Sequence, residues 1–201
     1  MGCGKSSVGR KLSELLSCPF IDLDEYIEQR QERSIPEIFA TDGEAAFRAL
    51  ELDSLKEILS ARNVNKPVIP HLMRALHKEM LHCHPERNEV KSKDLNNENT
   101  TLILSLGGGT LTTPECARLV KERTTCIYLH ATTDTLVHRL ENENENRPML
   151  SSPTTLRARI EELMQKRSAI YEGTAHHIID INGKTISEIT AAISHLLQGI
   201  L

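Results

Sequence analysis

Met1-Gly2-Cys3-Gly4-Lys5-Ser6-Ser7-Val8-Gly9 opens the chain, and the fold turns on how this stretch is read. Glycines at 2 and 4 let backbone N–H groups close on an anion, a helix start favours negative charge, and Lys5 beside Ser6 supplies a cation and a hydroxyl. Val8, Leu12, Leu15 and Leu16 follow at helical spacing, so a glycine-rich loop runs straight into a helix. This is the second half of a phosphate cradle of the form G-x-x-x-x-G-K-[ST], whose first glycine would lie two positions ahead of Met1. The same start satisfies M-G-x-x-x-[ST], the acceptor pattern for N-myristoylation, with Cys3 as a palmitoylation site, but nothing after residue 7 supports a membrane role.

Downstream, strands and helices alternate. Pro19-Phe20-Ile21-Asp22 reads as a short strand, Asp24 through Arg30 as a polar helix, and Ser34 with Pro36 as the cap and first turn of another. Phe47, Leu50, Leu55, Ile58 and Leu59 mark the buried stripe of a longer helix. Residues 62–100 differ in composition, with an amphipathic stretch around His71 to Met80 and then a polar run that reads as disordered or as a surface loop. Thr101 to Leu106 is a β-rich run ending on Gly107-Gly108-Gly109. Pro114 starts a helix, Cys126 to Leu129 makes a strand, and a helix through Leu136, Val137 and Leu140 leads into the polar tract 141–146. A helix across Leu156, Ile160, Leu163 and Met164, a strand from His177 to Ile181 and a final helix from Ile186 close the chain. Such alternation implies a parallel sheet with helices on both sides.

The 201 residues fit one domain, and with 3% aromatic residues and no tryptophan the core must be built from Leu, Ile, Val and Ala. A net charge of −4 lacks the basic footprint of a nucleic-acid binder, so any anionic substrate is held by a local site. No apolar run approaches the roughly 18–20 residues of a membrane span. Five scattered cysteines without a CxxC spacing point to a reducing compartment, and the expected location is the cytoplasm.

Three further features carry chemistry. Asp22 and Asp24, two apart at a strand end, would point both carboxylates to one face if the segment is extended; an aspartate there equally serves as a helix N-cap. Three consecutive glycines after a strand imply close approach of backbone to a ligand. Arg147-Pro148 after a polar tract fits a lid arginine that meets phosphate on closure, or a plain surface loop, and Arg48 beside Phe47 fits either a ligand contact or a snorkelling cation.

In this order the residues resemble the shikimate kinases, small P-loop enzymes related to nucleoside monophosphate kinases. The resemblance rests on residues 1–9, on Phe20-Ile21-Asp22-Leu23-Asp24, Phe47-Arg48, Gly107-Gly108-Gly109, Arg147-Pro148-Met149-Leu150, and Arg167 before Tyr171. It implies an α/β fold, a P-loop three-layer sandwich with a parallel sheet, an insertion at about 62–100 and a lid at about 141–155. It further implies a monomer that uses ATP and Mg²⁺ to phosphorylate the 3-hydroxyl of shikimate, on the route to chorismate and the aromatic amino acids, with no nucleic-acid or membrane partner.

By the same carry-over, Gly2, Cys3, Gly4, Lys5, Ser6 and Ser7 hold ATP, with Arg139 on the adenine. Ser6 ligates Mg²⁺, and Asp22 does so through water. Asp24 binds the substrate hydroxyls and takes the proton, Arg48 and Arg167 grip the carboxylate, and the Gly107, Gly108 and Gly109 backbone lines the pocket. Lys5, Asp24 and Arg147 form the catalytic set. A gluconate-type sugar-acid kinase, whose loop is also Gly-Cys-Gly-Lys-Ser, and an inactive kinase-like binding module are the alternatives.

Three departures from the family pattern stand out. The strand that normally precedes the phosphate loop has no residues here, which fits a late start codon or a truncated chain and predicts a gap at the centre of the sheet, a poorly anchored loop and weak ATP binding. Val68 to Leu81 is the first candidate to fill that gap. The insertion is unusual, and Arg139 to Arg147 is one residue longer than expected. His77, His82, Cys83 and His84 within the insertion invite a zinc site, but match no standard finger spacing.

Overall fold

The computed structural model describes residues 3–60, 68–72, 101–143 and 153–199. Five strands, β1 (Phe20–Asp22), β2 (Val68–Leu72), β3 (Leu102–Leu106), β4 (Ile127–His130) and β5 (His177–Asp180), form one sheet in the order β1-β3-β2-β4-β5. All four pairings are parallel. Around it run α1 (Lys5–Leu16), α2 (Leu23–Gln31), α3 (Ile35–Thr41), α4 (Gly43–Ser60), α5 (Pro114–Arg123), α6 (Thr133–Glu143), α7 (Pro153–Thr174) and α8 (Ile186–Gln198). The α/β architecture with a parallel sheet is the one expected.

Local chemistry explains where the elements begin. Ser34 and Thr185 each close a capping box, with Glu37 and Glu188 respectively, before the apolar residues of α3 and α8. β3 is buried at every position, as a strand covered on both faces must be, and its Leu-Ile-Leu run supplies that core. α1 lays Val8 and Leu12 inward, packing on α8 and across β1, β2 and β3.

The expected gap at the centre of the sheet is not there. β2, from within Val68 to Leu81, the stretch named as the first candidate to fill it, lies between β3 and β4, in register with β3 from Val68↔Leu102 to Leu72↔Leu106. Two β-formers, Val68 and Ile69, begin this strand, and β3 and β4 would otherwise leave a row of buried backbone groups unpaired. Pro70 brings no N–H to the ladder, and β2 meets β4 in register at one position, His71↔Ile127.

The phosphate loop is also anchored. Cys3 is buried, and its carbonyl accepts a bond from Arg139 Nη1 at 3.3 Å.

The turn joining α7 to β5 is tied to β4 by an imidazole. His176 Nδ1 accepts the Cys126 N–H at 2.9 Å, while the His176 and His177 N–H groups donate to the Cys126 carbonyl at 2.8 and 3.1 Å. Burial, and then the charges of His177 and Lys121, hold the His176 pKa below its ordinary value. The unfolded chain therefore takes up the proton first. The stabilisation is complete above the ordinary histidine pKa, near 6.5, and is lost as pH falls through the depressed value. Melting temperature should therefore decline from pH 7.5 to 5.5, and H176N, whose amide oxygen accepts the same N–H at every pH, should flatten that decline. Parallel pH curves for the two proteins would refute the role.

Candidate functional site

At the head of α1, Gly4 takes the left-handed conformation (φ 70°) that a side chain would strain, which lets the loop turn directly into the helix. Lys5 is fully buried in the first turn, where the helix dipole opposes a cation and an anionic ligand would reverse that penalty. Ser6 Oγ donates to Asp22 Oδ2 at 2.7 Å, joining the loop to the end of β1. Asp22 also caps α2, because its Oδ1 accepts the Asp24 N–H at 3.1 Å. The helix-cap reading of this aspartate is met.

Asp24 reaches the site by a different route from the one expected. The segment is not extended at Asp24, which lies in the first turn of α2, so the two carboxylates are not held together by strand alternation. Both are nevertheless buried. A Cβ placed on Gly107 would lie 2.6 Å from Asp24 Oδ1, so glycine is required there for the aspartate to pack against the loop.

The three glycines gather the remaining residues. A side chain on Gly109 would run into the Arg48 guanidinium. Arg48 donates from Nη1 to Glu51 Oε2 at 2.6 Å and from Nη2 to Glu44 Oε1 at 2.9 Å; despite burial, these carboxylates hold its pKa above the ordinary arginine value. Glu51, fully buried, accepts Thr110 Oγ1 at 2.5 Å through its other oxygen. The Gly108 carbonyl accepts both Arg167 Nη1 at 2.9 Å and Tyr171 Oη at 2.6 Å. Next to it opens a partly open pocket lined by Gly108, Arg167 and Tyr171, with Leu136, Ile160 and Met164 among its apolar walls.

Arg139 donates to three backbone carbonyls, those of Cys3, Ile181 and Lys184, and so ties the phosphate loop to the turn after β5. Ser7 is exposed on α1. Gly2, Arg147 with most of the expected lid, and the His77, His82, Cys83 and His84 cluster lie outside the described residues. Glu51 and Thr110 were not anticipated from sequence. The available signal was a carboxylate four residues after Phe47, on the buried stripe of α4 and three after Arg48, where charge needs a partner.

Comparison with known proteins points to one family. A family model described as shikimate kinase matches residues 1–69 and 77–198. The shikimate kinase of Dictyoglomus turgidum is 32% identical over 200 residues, which cover 98% of this chain and 93% of that protein. The solved shikimate kinase of Acinetobacter baumannii in complex with shikimate is 26% identical, with a TM-score of 0.71 over 99% of this chain and 89% of the other. The Bacteroides thetaiotaomicron enzyme, at 24% identity and a TM-score of 0.72 over 98% and 94% of the two chains, shares the fold.

Proposed function

Because the chain belongs to the shikimate kinase family, we propose that it transfers the γ-phosphoryl group of ATP to the 3-hydroxyl of shikimate through the residues gathered around Asp22 and Asp24. The observation that carries the residue assignment is the Asp24 N–H bond to Asp22 Oδ1, because it joins two half-sites. On one side stand Gly4, Lys5, Ser6 and Asp22, suited to a nucleotide phosphate chain. On the other stand Asp24, Arg48, Gly107, Gly108, Gly109 and Arg167, suited to a hydroxylated carboxylic acid.

The Ser6 hydroxyl and the Asp22 carboxylate, 2.7 Å apart, offer the oxygen donors a hard divalent cation prefers. Mg²⁺ held there by Ser6 directly and by Asp22 through water would neutralise charge on the phosphates. Lys5 and the N–H groups at the head of α1 hold the phosphate chain in line with the acceptor. Asp24 accepts the proton of the attacking hydroxyl as the O–P bond to shikimate forms and the bond from the γ-phosphorus to the bridging oxygen breaks, releasing ADP. Arg48 and Arg167 hold the carboxylate, which does not react, and so supply orientation rather than chemistry. Arg139, held beside the phosphate loop by its bonds to the Cys3, Ile181 and Lys184 carbonyls, is the residue that would stack on adenine. Arg147 would complete the charge neutralisation. The described residues of the site all come from one chain, which suits a monomer, and the four buried cysteines among the described residues, none of them in a disulfide, suit a reducing cytoplasm.

A coupled ADP-release assay with shikimate, and with gluconate as the competing sugar acid, tests the reading. Turnover should appear with shikimate and be absent with gluconate; the reverse would overturn it. In the same assay Arg48→Lys keeps a cation beside Glu51 but loses the fork, so the shikimate KM should rise roughly 10- to 100-fold, while the ATP KM stays within about twofold. A change confined to the ATP KM would remove Arg48 from the acceptor side.

A further inference from the structure

The Gly108–Gly109 peptide sits between two residues that lack a Cβ, so little in its own chain resists rotation of the peptide plane. Its orientation decides what the acceptor site presents. With the Gly108 carbonyl turned toward α7, the trans peptide directs the Gly109 N–H to the opposite side, away from Arg167 and Tyr171. Flipped, the same unit would set a carbonyl oxygen against an incoming carboxylate. Something outside the loop must hold the plane.

Two donors do so, both on the Gly108 oxygen: Arg167 Nη1 at 2.9 Å and Tyr171 Oη at 2.6 Å. They are not equivalent. Arg167 is drawn toward the substrate carboxylate in the reading above, on which this inference rests, and a guanidinium shared with a carboxylate holds the carbonyl less firmly. Tyr171 has no such second task. It is 1% exposed, and its ring packs against Tyr128 with centroids 5.5 Å apart. We propose that Tyr171 is a positioning residue for substrate binding, its hydroxyl fixing the Gly108–Gly109 peptide in the orientation that receives the carboxylate. Burial raises the Tyr171 pKa, so the phenol stays protonated and remains a donor across the working pH range.

Tyr171→Phe in the full chain removes the hydroxyl and keeps the ring. Hydrogen exchange at the Gly109 amide should accelerate about tenfold in the unliganded protein, a readout that requires no substrate. By calorimetry the Kd for shikimate should weaken about tenfold, with ADP affinity within twofold of wild type. Tyr128→Phe, which removes the neighbouring hydroxyl from a ring that does not bond Gly108, should leave both affinities unchanged. Unaltered Gly109 exchange in Tyr171→Phe would overturn the proposal, as would parallel losses of shikimate and ADP affinity together with a large fall in melting temperature. Wild-type protein that binds no shikimate would instead overturn the substrate reading, while the exchange measurement would still decide whether Tyr171 holds the loop.

Discussion

Lys5→Ala should lower kcat by about a thousandfold or more while leaving the fold intact, and the reason lies in where the ammonium is placed. Phosphoryl transfer asks little covalent chemistry of a protein and much positioned charge, and a cation fixed in a buried site before reaction is worth about 4 kcal/mol or more in the transition state. Lys5 is fully buried, away from the solvent that would screen it. It also stands at the positive end of α1, where alanine is the better residue for the helix itself. The thermal midpoint should therefore be unchanged or higher, and the loss should appear in turnover and in affinity for nucleotide. The coupled assay and a melting curve on the same sample decide it: kcat within tenfold of wild type would remove Lys5 from the catalytic set.

Much of this site could be read in the sequence because its chemistry is local. Gly4, Lys5 and Ser6 are adjacent, and the motif describes a backbone shape and a charge that no distant contact needs to supply. Gly107 and Gly109 were legible in part: three successive glycines were read as close approach of backbone to a ligand, and the structure shows the chain's own Asp24 and Arg48 occupying the space two Cβ atoms would take. Asp24 lies against Gly107 from a helix turn, and not from the extended strand on which its position was argued.

Glu51 and Thr110 were missed because their hydrogen bond spans 59 positions and neither residue belongs to a recognisable pattern. Tyr171 was seen only as a neighbour of Arg167. Its hydroxyl meets Gly108 across 63 positions, because α7 runs on to Thr174, well beyond the apolar stripe that ends near Met164. Long-range pairings of this kind are decided by packing, which period and propensity do not encode.

The central strand was legible only as a candidate, Val68 to Leu81, without its bounds or register, and it carries the second large effect. Val68-Ile69-Pro70-His71-Leu72 has a proline at its midpoint, a feature that by itself argues against a central strand, and only the vacancy between β3 and β4 makes the pairing favourable. His71 is the position at which β2 is in register with both neighbours, Ser105 on β3 and Ile127 on β4. His71→Pro puts a second proline one residue after Pro70 and removes a further backbone donor from the middle of the sheet. Each buried backbone group left without a partner costs about 1–3 kcal/mol, and several are disturbed at once, so the loss should reach about 3 kcal/mol or more of the 5–15 kcal/mol typical of a domain.

Cooperative melting should then weaken or vanish, and because Gly107 follows directly on β3, shikimate and nucleotide binding should fail together. Pro70→Val makes the opposite change at the neighbouring position. It restores an N–H and a β-former, and should raise the melting temperature by about 2–4 °C for each kcal/mol gained. If neither substitution moved the melting transition, Val68–Leu72 would not be the strand that closes the sheet. Opposite shifts from two adjacent positions, one proline added and one removed, could come only from a backbone that is hydrogen-bonded there.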